Sequence, residues 1–238
     1  MKKLLSLLLL LLLFVTKGNG QAALQDDLAL KYVARLPLEI SRHAPVIILL
    51  HGFGSDEKDL FGLADLFPKK YLIISVRAPY SVPAGGYQWY EGTVANGHRN
   101  GNKAQLGSSR ALTAKFILQV VKKYKADAKN VNLIGFSQGA VMSYETGLTN
   151  PASVKGIAVL SGMIFNSLKP YITNTPALNQ LHIFIAHGIN DQRIPYAEGK
   201  AAADYLKSIG LKPELHTYDG MGHQINKEVL KDLLNWLK

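Results

Sequence analysis

The sequence predicts an α/β fold with a mostly parallel central sheet and helices on both faces. Short apolar runs rich in Val, Ile and Leu alternate along the chain with stretches whose apolar residues recur at helical spacing, and the residues able to do chemistry fall just after the runs. Leu30 to Arg35 reads as the first strand, and Pro45 to Leu50 as a strand buried on both faces. A helical stretch is expected around Asp56 to Leu66, then a strand from Tyr71 to Val76. Between Ala78 and Lys103 the chain is rich in Gly, Asn and Tyr, without periodicity, and reads as one long loop. Leu112, Phe116, Ile117, Val120, Val121 and Tyr124 mark a helix from Ser108 to Tyr124. Strand Val131 to Ile134 leads into a helix through Tyr144, and strand Lys155 to Leu160 into a loop-rich stretch. Strand His182 to Ala186 then leads into a helix from Tyr196 to Ile209, and strand Glu214 to Tyr218 into a terminal helix carrying Ile225, Val229, Leu230, Leu233, Leu234 and Leu237. Right-handed crossovers between such strands put ligands at their carboxyl ends.

Composition narrows the chemistry. The chain of 238 residues has no cysteine, which removes a thiol nucleophile, a cysteine zinc site and any disulfide framework. Its 27 Lys and Arg exceed 17 Asp and Glu, an excess that invites a nucleic-acid reading. Lys2, Lys3 and Lys17, however, belong to a leader, and the densest basic stretch, Lys122, Lys123, Lys125 and Lys129, ends a helix, where cations favour the dipole. That stretch reads as a solvated face, and no nucleic-acid partner is expected. Met1-Lys2-Lys3, the apolar run Leu4 to Val15 and small residues up to Gly20 have the form of a signal peptide over residues 1–20, too short for a spanning helix. Cleavage after Gly20 would leave one domain over residues 21–238, exported to the periplasm or the medium; a cut after Ala23 is the alternative, and an uncleaved membrane anchor is the competing expectation.

Gly135-Phe136-Ser137-Gln138-Gly139 matches G-x-S-x-G and stands between a strand and a helix, where a sharp turn holds the serine hydroxyl outward. A serine needs a base, and the base an acid to fix its tautomer. Asp191 and His223 follow the next suitable strands, and the order Ser, Asp, His is that of an α/β-hydrolase. Alone, Asp191 reads equally as a turn residue before the helix at Pro195. Asp219 is an alternative partner for His223 but stands close to it in sequence, while His43, His98, His182 and His216 read as surface or structurally satisfied. His187 borders the strand end without a role. His51-Gly52-Phe53-Gly54-Ser55 offers a second oxyanion donor, the N–H of Phe53 beside that of Gln138. No phosphate-loop or catalytic-metal pattern is present in the sequence, and no cofactor is required.

Leu50-His51-Gly52-Phe53-Gly54, Arg77-Ala78-Pro79 with Gly86-Tyr87-Gln88-Trp89-Tyr90, Gly135 to Ala140, His187-Gly188 with Asp191 and Ile194-Pro195, and Gly220-Met221-Gly222-His223 together resemble the phospholipase/carboxylesterase family, over nearly all of the chain after the leader. The resemblance implies a hydrolase without a cap domain, with Ser137 as nucleophile, Asp191 as acid, His223 as base, and Phe53 and Gln138 as main-chain oxyanion donors. It also implies that Trp89 borders the acyl site, where plain packing is the alternative. The expected activity is hydrolysis of small-molecule or lipid carboxylic esters through an acyl-enzyme. Lysophospholipids and thioesters are the alternative substrates, a serine peptidase is more distant, and a non-catalytic binding protein is the rival from another class. The leader, the Trp89-Tyr90-Glu91 segment and the polar stretch Asn96 to Asn102 depart from the common pattern.

Overall fold

The computed structural model describes residues 22–39, 42–95 and 98–238; the leader read over residues 1–20 lies outside them. Five apolar runs become central strands. Strands β1 (Tyr32–Arg35), β2 (Val46–Leu50) and β3 (Leu72–Val76) come first. Two short hairpins follow, β4 (Tyr80–Ser81) with β5 (Tyr87–Gln88) and β6 (Gly92–Ala95) with β7 (His98–Gly101). Then come α1 (Lys103–Tyr124), β8 (Val131–Phe136), α2 (Gln138–Thr149), β9 (Gly156–Leu160), α3 (Pro176–Asn179), β10 (His182–Gly188), α4 (Tyr196–Ser208), β11 (Glu214–Tyr218) and α5 (Lys227–Trp236). The seven-stranded sheet runs β1-β3-β2-β8-β9-β10-β11, parallel except for β1, which pairs antiparallel with β3.

Side-chain alternation sends the runs to two cores. Ile48, Leu50, Ile74, Leu133, Val159 and Ile185 face Phe116 and Val120 of α1, Tyr144 and Leu148 of α2, and Leu206 of α4. Ile47, Leu49, Ile73, Ile134, Leu160 and Phe184 face Val229 and Leu233 of α5, with Leu60 and Ala64 of a 3-10 segment. Both faces of the central strands β2, β3, β8, β9 and β10 are covered, so these strands carry no polar stripe, and each buried aliphatic side chain contributes about 1.5–3 kcal/mol.

Three expectations change. The helix expected around Asp56 to Leu66 is a 3-10 segment at Leu60–Leu66. The loop expected between Ala78 and Lys103 contains both hairpins, whose short strands have no apolar alternation to reveal them. Helix α1 starts at Lys103, five residues before the expected Ser108, because Asn102 caps it by accepting from the N–H groups of Ala104 and Gln105. Helix α2 is buried from Gly139 to Leu148 and packs at the centre of one core. Its Glu145 is pushed upward in pKa by burial, with the Arg110 guanidinium 3.1 Å away pulling the other way.

Candidate active site

Ser137 has φ +56° and ψ −115°, a conformation that side chains rarely adopt. The turn is held because its flanks admit nothing larger than glycine: a Cβ on Gly135 would collide with the Gly139 carbonyl, and one on Gly139 with the Leu50 carbonyl. The Ser137 N–H donates to the Leu160 carbonyl at 3.0 Å, fixing the turn to β9. The strain therefore comes from local sequence and is balanced by the sheet, and it projects Oγ from the carboxyl end of β8. Since the first N–H groups of α2 have no acceptor within the helix, the Gln138 N–H stands at a positive helix end beside that hydroxyl.

Ser137 Oγ lies 2.9 Å from His223 Nε2, and His223 Nδ1 lies 2.7 Å from Asp191 Oδ2. A carboxylate only accepts, so Nδ1 carries the hydrogen and Nε2 is left to accept from the serine. The three residues come from the loops after β8, β10 and β11, at one edge of the sheet. Asp191 also serves as the turn residue: its Oδ1 accepts from the N–H groups of Arg193 and Ile194, each at 2.9 Å, and the side chain is buried. Phe136 stacks on the His223 ring at 4.9 Å. Asp219 is exposed and stands apart from this chain of contacts. His187 is buried behind Asp191, its Nε2 2.8 Å from the Ile194 carbonyl and 3.6 Å from Asp191 Oδ2, and burial lowers its pKa. His43 donates from Nδ1 to the Lys125 carbonyl at 2.9 Å, whereas His216 stacks on Phe184 at 4.6 Å.

The loop after β2 lies against the serine turn, since a Cβ on Gly52 would sit 3.3 Å from Ser137 Cβ. It is held from three sides. Buried His51 donates from Nδ1 to the Gly52 carbonyl at 2.7 Å and accepts at Nε2 from the Ala78 N–H at 3.0 Å, an arrangement that requires the neutral ring; burial lowers its pKa. The Gly54 N–H donates to the Tyr87 carbonyl at 2.9 Å, and the Tyr87 N–H to the Ser55 carbonyl at 2.8 Å. Below them Arg77 grips Glu57 through Nε and Nη2 at 2.6 and 2.8 Å, and its guanidinium stacks on Tyr87 at 4.5 Å. Burial acts to raise the pKa of Glu57, but Arg77 outweighs it and the net shift is downward. Arg77 stood in a motif of the sequence, but no sequence signal announced its grip on Glu57, 20 residues away.

Ser137, Gln138 and His223 open into a cleft of about 1040 Å³ whose apolar wall includes Tyr90, Val141, Met163, Phe165 and Ile194. Phe53 stands at its mouth with the side chain exposed. Trp89, expected beside the acyl site, is fully buried behind this wall, and its neighbours Gln88 and Tyr90 line the cleft instead. Its indole N–H donates to the His51 carbonyl at 2.9 Å, an inward anchor that turns the ring away from the cleft. A second cavity of about 780 Å³ opens at the opposite end of the strands among Lys129, Lys155 and Lys212, away from all of these residues. Among the described residues no cluster of three or more potential metal ligands occurs, and no helix is long and apolar enough to cross a membrane.

Comparison with known proteins agrees with this architecture. Acyl-protein thioesterase 1 of Candida albicans is 26% identical over 223 residues, covering 86% of this chain and 95% of that protein. A probable carboxylesterase SOBER1-like of Arabidopsis thaliana is 39% identical over 113 residues, 46% of this chain but only 42% of that protein's length. The crystal structure of the Bacillus cereus carboxylesterase superposes with a TM-score of 0.74 at 25% identity, covering 87% of this chain and 93% of that one. The profile of the phospholipase/carboxylesterase family matches residues 36–238, a span that holds every strand from β2 to β11 and each of the loops described above, and the chain belongs to that family.

Proposed function

We propose that this ester hydrolase works through Ser137, His223 and Asp191 as nucleophile, base and acid, with the backbone N–H groups of Phe53 and Gln138 as oxyanion donors. His223 Nε2 takes the proton of Ser137 Oγ as the oxygen attacks the acyl carbonyl, and the Asp191 carboxylate steadies the imidazolium. The two N–H groups hold the tetrahedral oxyanion. As the carbon–oxygen bond to the leaving alcohol breaks, the alcohol takes the proton from Nε2, and an acyl-serine remains. Water then gives its proton to the same nitrogen, attacks the acyl carbon and releases the acid, returning the proton to Oγ. The observation that carries the reading is the continuous hydrogen-bonded path of 2.9 and 2.7 Å from a strained serine to a buried carboxylate. It requires no cofactor, and the apolar wall suits an uncharged acyl chain of a small-molecule or lipid ester. Thioesters are a second reading on the same atoms, favoured by the nearly full-length match to acyl-protein thioesterase 1.

The test is hydrolysis of p-nitrophenyl esters from acetyl to palmitoyl by the wild type and Ser137→Ala. Loss of the serine should lower kcat by about a millionfold, and activity near wild type in the variant would sink the proposal. We also propose that residues 1–20 are a signal peptide and that residues 21–238 form the single exported domain. Mass spectrometry of exported protein should find Gln21 or Leu24 at the N-terminus; Met1 on a membrane-bound form would favour an anchor.

A further inference from the structure

The side chain of Gln138 does work that the hydrolytic mechanism leaves unassigned. Its Oε1 accepts from the Trp89 N–H at 3.0 Å, and its Nε2 donates to the Tyr90 carbonyl at 2.9 Å. One amide thus meets a backbone donor and a backbone acceptor, and only one of its two orientations satisfies both. Trp89 is in turn held by its indole N–H on the His51 carbonyl at 2.9 Å, and its own carbonyl accepts from Ser109 Oγ at 2.5 Å. Trp89 therefore joins the oxyanion loop, the start of α2 and α1. Tyr90, the next residue, lines the cleft and packs edge-on against Phe165 at 5.6 Å, another wall residue.

We infer that the Gln138 side chain is a positioning residue that locks the Trp89-Tyr90 wall to the serine turn, setting both acyl-chain selectivity and the orientation of its own backbone N–H. The inference rests on the Ser137 mechanism above and adds to it a determinant of which esters are turned over. Without the two hydrogen bonds the wall segment can shift relative to Ser137. Misplacement of that kind near reacting atoms costs rate as well as binding.

The experiment measures kcat and KM of wild type, Gln138→Met, Gln138→Glu and Ser137→Ala on p-nitrophenyl acetate, butyrate and octanoate across pH. Gln138→Met preserves length but neither hydrogen bond; its kcat should fall about tenfold or more, and its preference among the three acyl chains should flatten. Gln138→Glu supplies a readout that a general loss of packing would not move. Ionised, the new carboxylate repels the Tyr90 carbonyl; protonated, it can accept from Trp89 and donate to Tyr90 as the amide does. The ratio of its kcat to that of wild type should therefore rise as pH falls, while the Gln138→Met ratio stays flat. This isosteric variant decides the matter even if Gln138→Met fails to fold. Wild-type kcat and chain-length preference in Gln138→Met, or a pH-independent ratio in Gln138→Glu, would overturn the inference. Activity surviving in Ser137→Ala would instead overturn the mechanism beneath it.

Discussion

Replacing Asp191 by Asn separates the two jobs of this carboxylate. Oδ1 accepts from two backbone N–H groups, Arg193 and Ile194, and Oδ2 faces His223 Nδ1 at 2.7 Å. In Asp191→Asn the amide oxygen must take the Oδ1 position, because the opposite orientation would point its N–H2 at two donors in a buried site. The amide nitrogen then faces Nδ1 and forces that atom to accept, which moves the ring hydrogen to Nε2. An Nε2–H cannot accept from Ser137 Oγ, so the base is disabled while the fold keeps both backbone hydrogen bonds. A wrong tautomer of this kind costs about 10,000-fold in kcat, or about 5.5 kcal/mol of transition-state stabilisation. Steady-state kinetics on p-nitrophenyl butyrate would measure it, with thermal melting beside it to show that Tm moves by only a few degrees. Turnover within tenfold of wild type in a folded Asp191→Asn protein would refute this reasoning.

Two other outcomes follow from groups buried near the site. Glu57→Gln leaves the Arg77 guanidinium without its carboxylate; the cost of about 3–5 kcal/mol for breaking a fully buried pair is an upper bound here, because Arg77 is partly exposed and keeps its contacts with Tyr87, so Tm should fall, and kcat with it as the loop at 52–55 loosens, whereas an unchanged Tm would count against the clamp. His51 and His187 are both held neutral by burial, their pKa values lowered, so the unfolded chain binds more protons once pH drops below about 6.5. Stability is then present in full above that pH and lost as pH falls toward the lowered folded values, by about 1.4 kcal/mol for each tenfold loss of proton affinity. Calorimetry should record a falling Tm on acidification that is shallower in His51→Gln, and a slope unaltered by that substitution would contradict it.

The central strands were legible because burial on both faces leaves few polar residues in them: Val46 to Leu50 is apolar throughout, and it is buried throughout. The positions of Ser137, Asp191 and His223 were legible for a related reason, since all follow strands of a parallel sheet and share its carboxyl edge. Asp191 shows why a single residue admitted two readings, for it caps a turn with one oxygen and faces His223 with the other. What stayed hidden depends on contacts between distant segments. The hairpins between Tyr80 and Gly101 lack alternation, and the Glu57–Arg77 grip and the Gln138 amide reach across 20 and 48 to 49 residues of chain. The family resemblance implied that Trp89 borders the acyl site, with plain packing as the alternative; its indole N–H donates inward to the His51 carbonyl, and Tyr90 lines the cleft.

The proposed mechanism stands or falls with Ser137 Oγ as a nucleophile activated by His223. Reaction with diethyl p-nitrophenyl phosphate, followed by peptide mass mapping, tests it directly. One diethylphosphoryl adduct is expected on Ser137, formed in step with the loss of esterase activity and strongly suppressed in His223→Ala although the serine is still present. An adduct on another residue, or full activity in protein modified at Ser137, would contradict it.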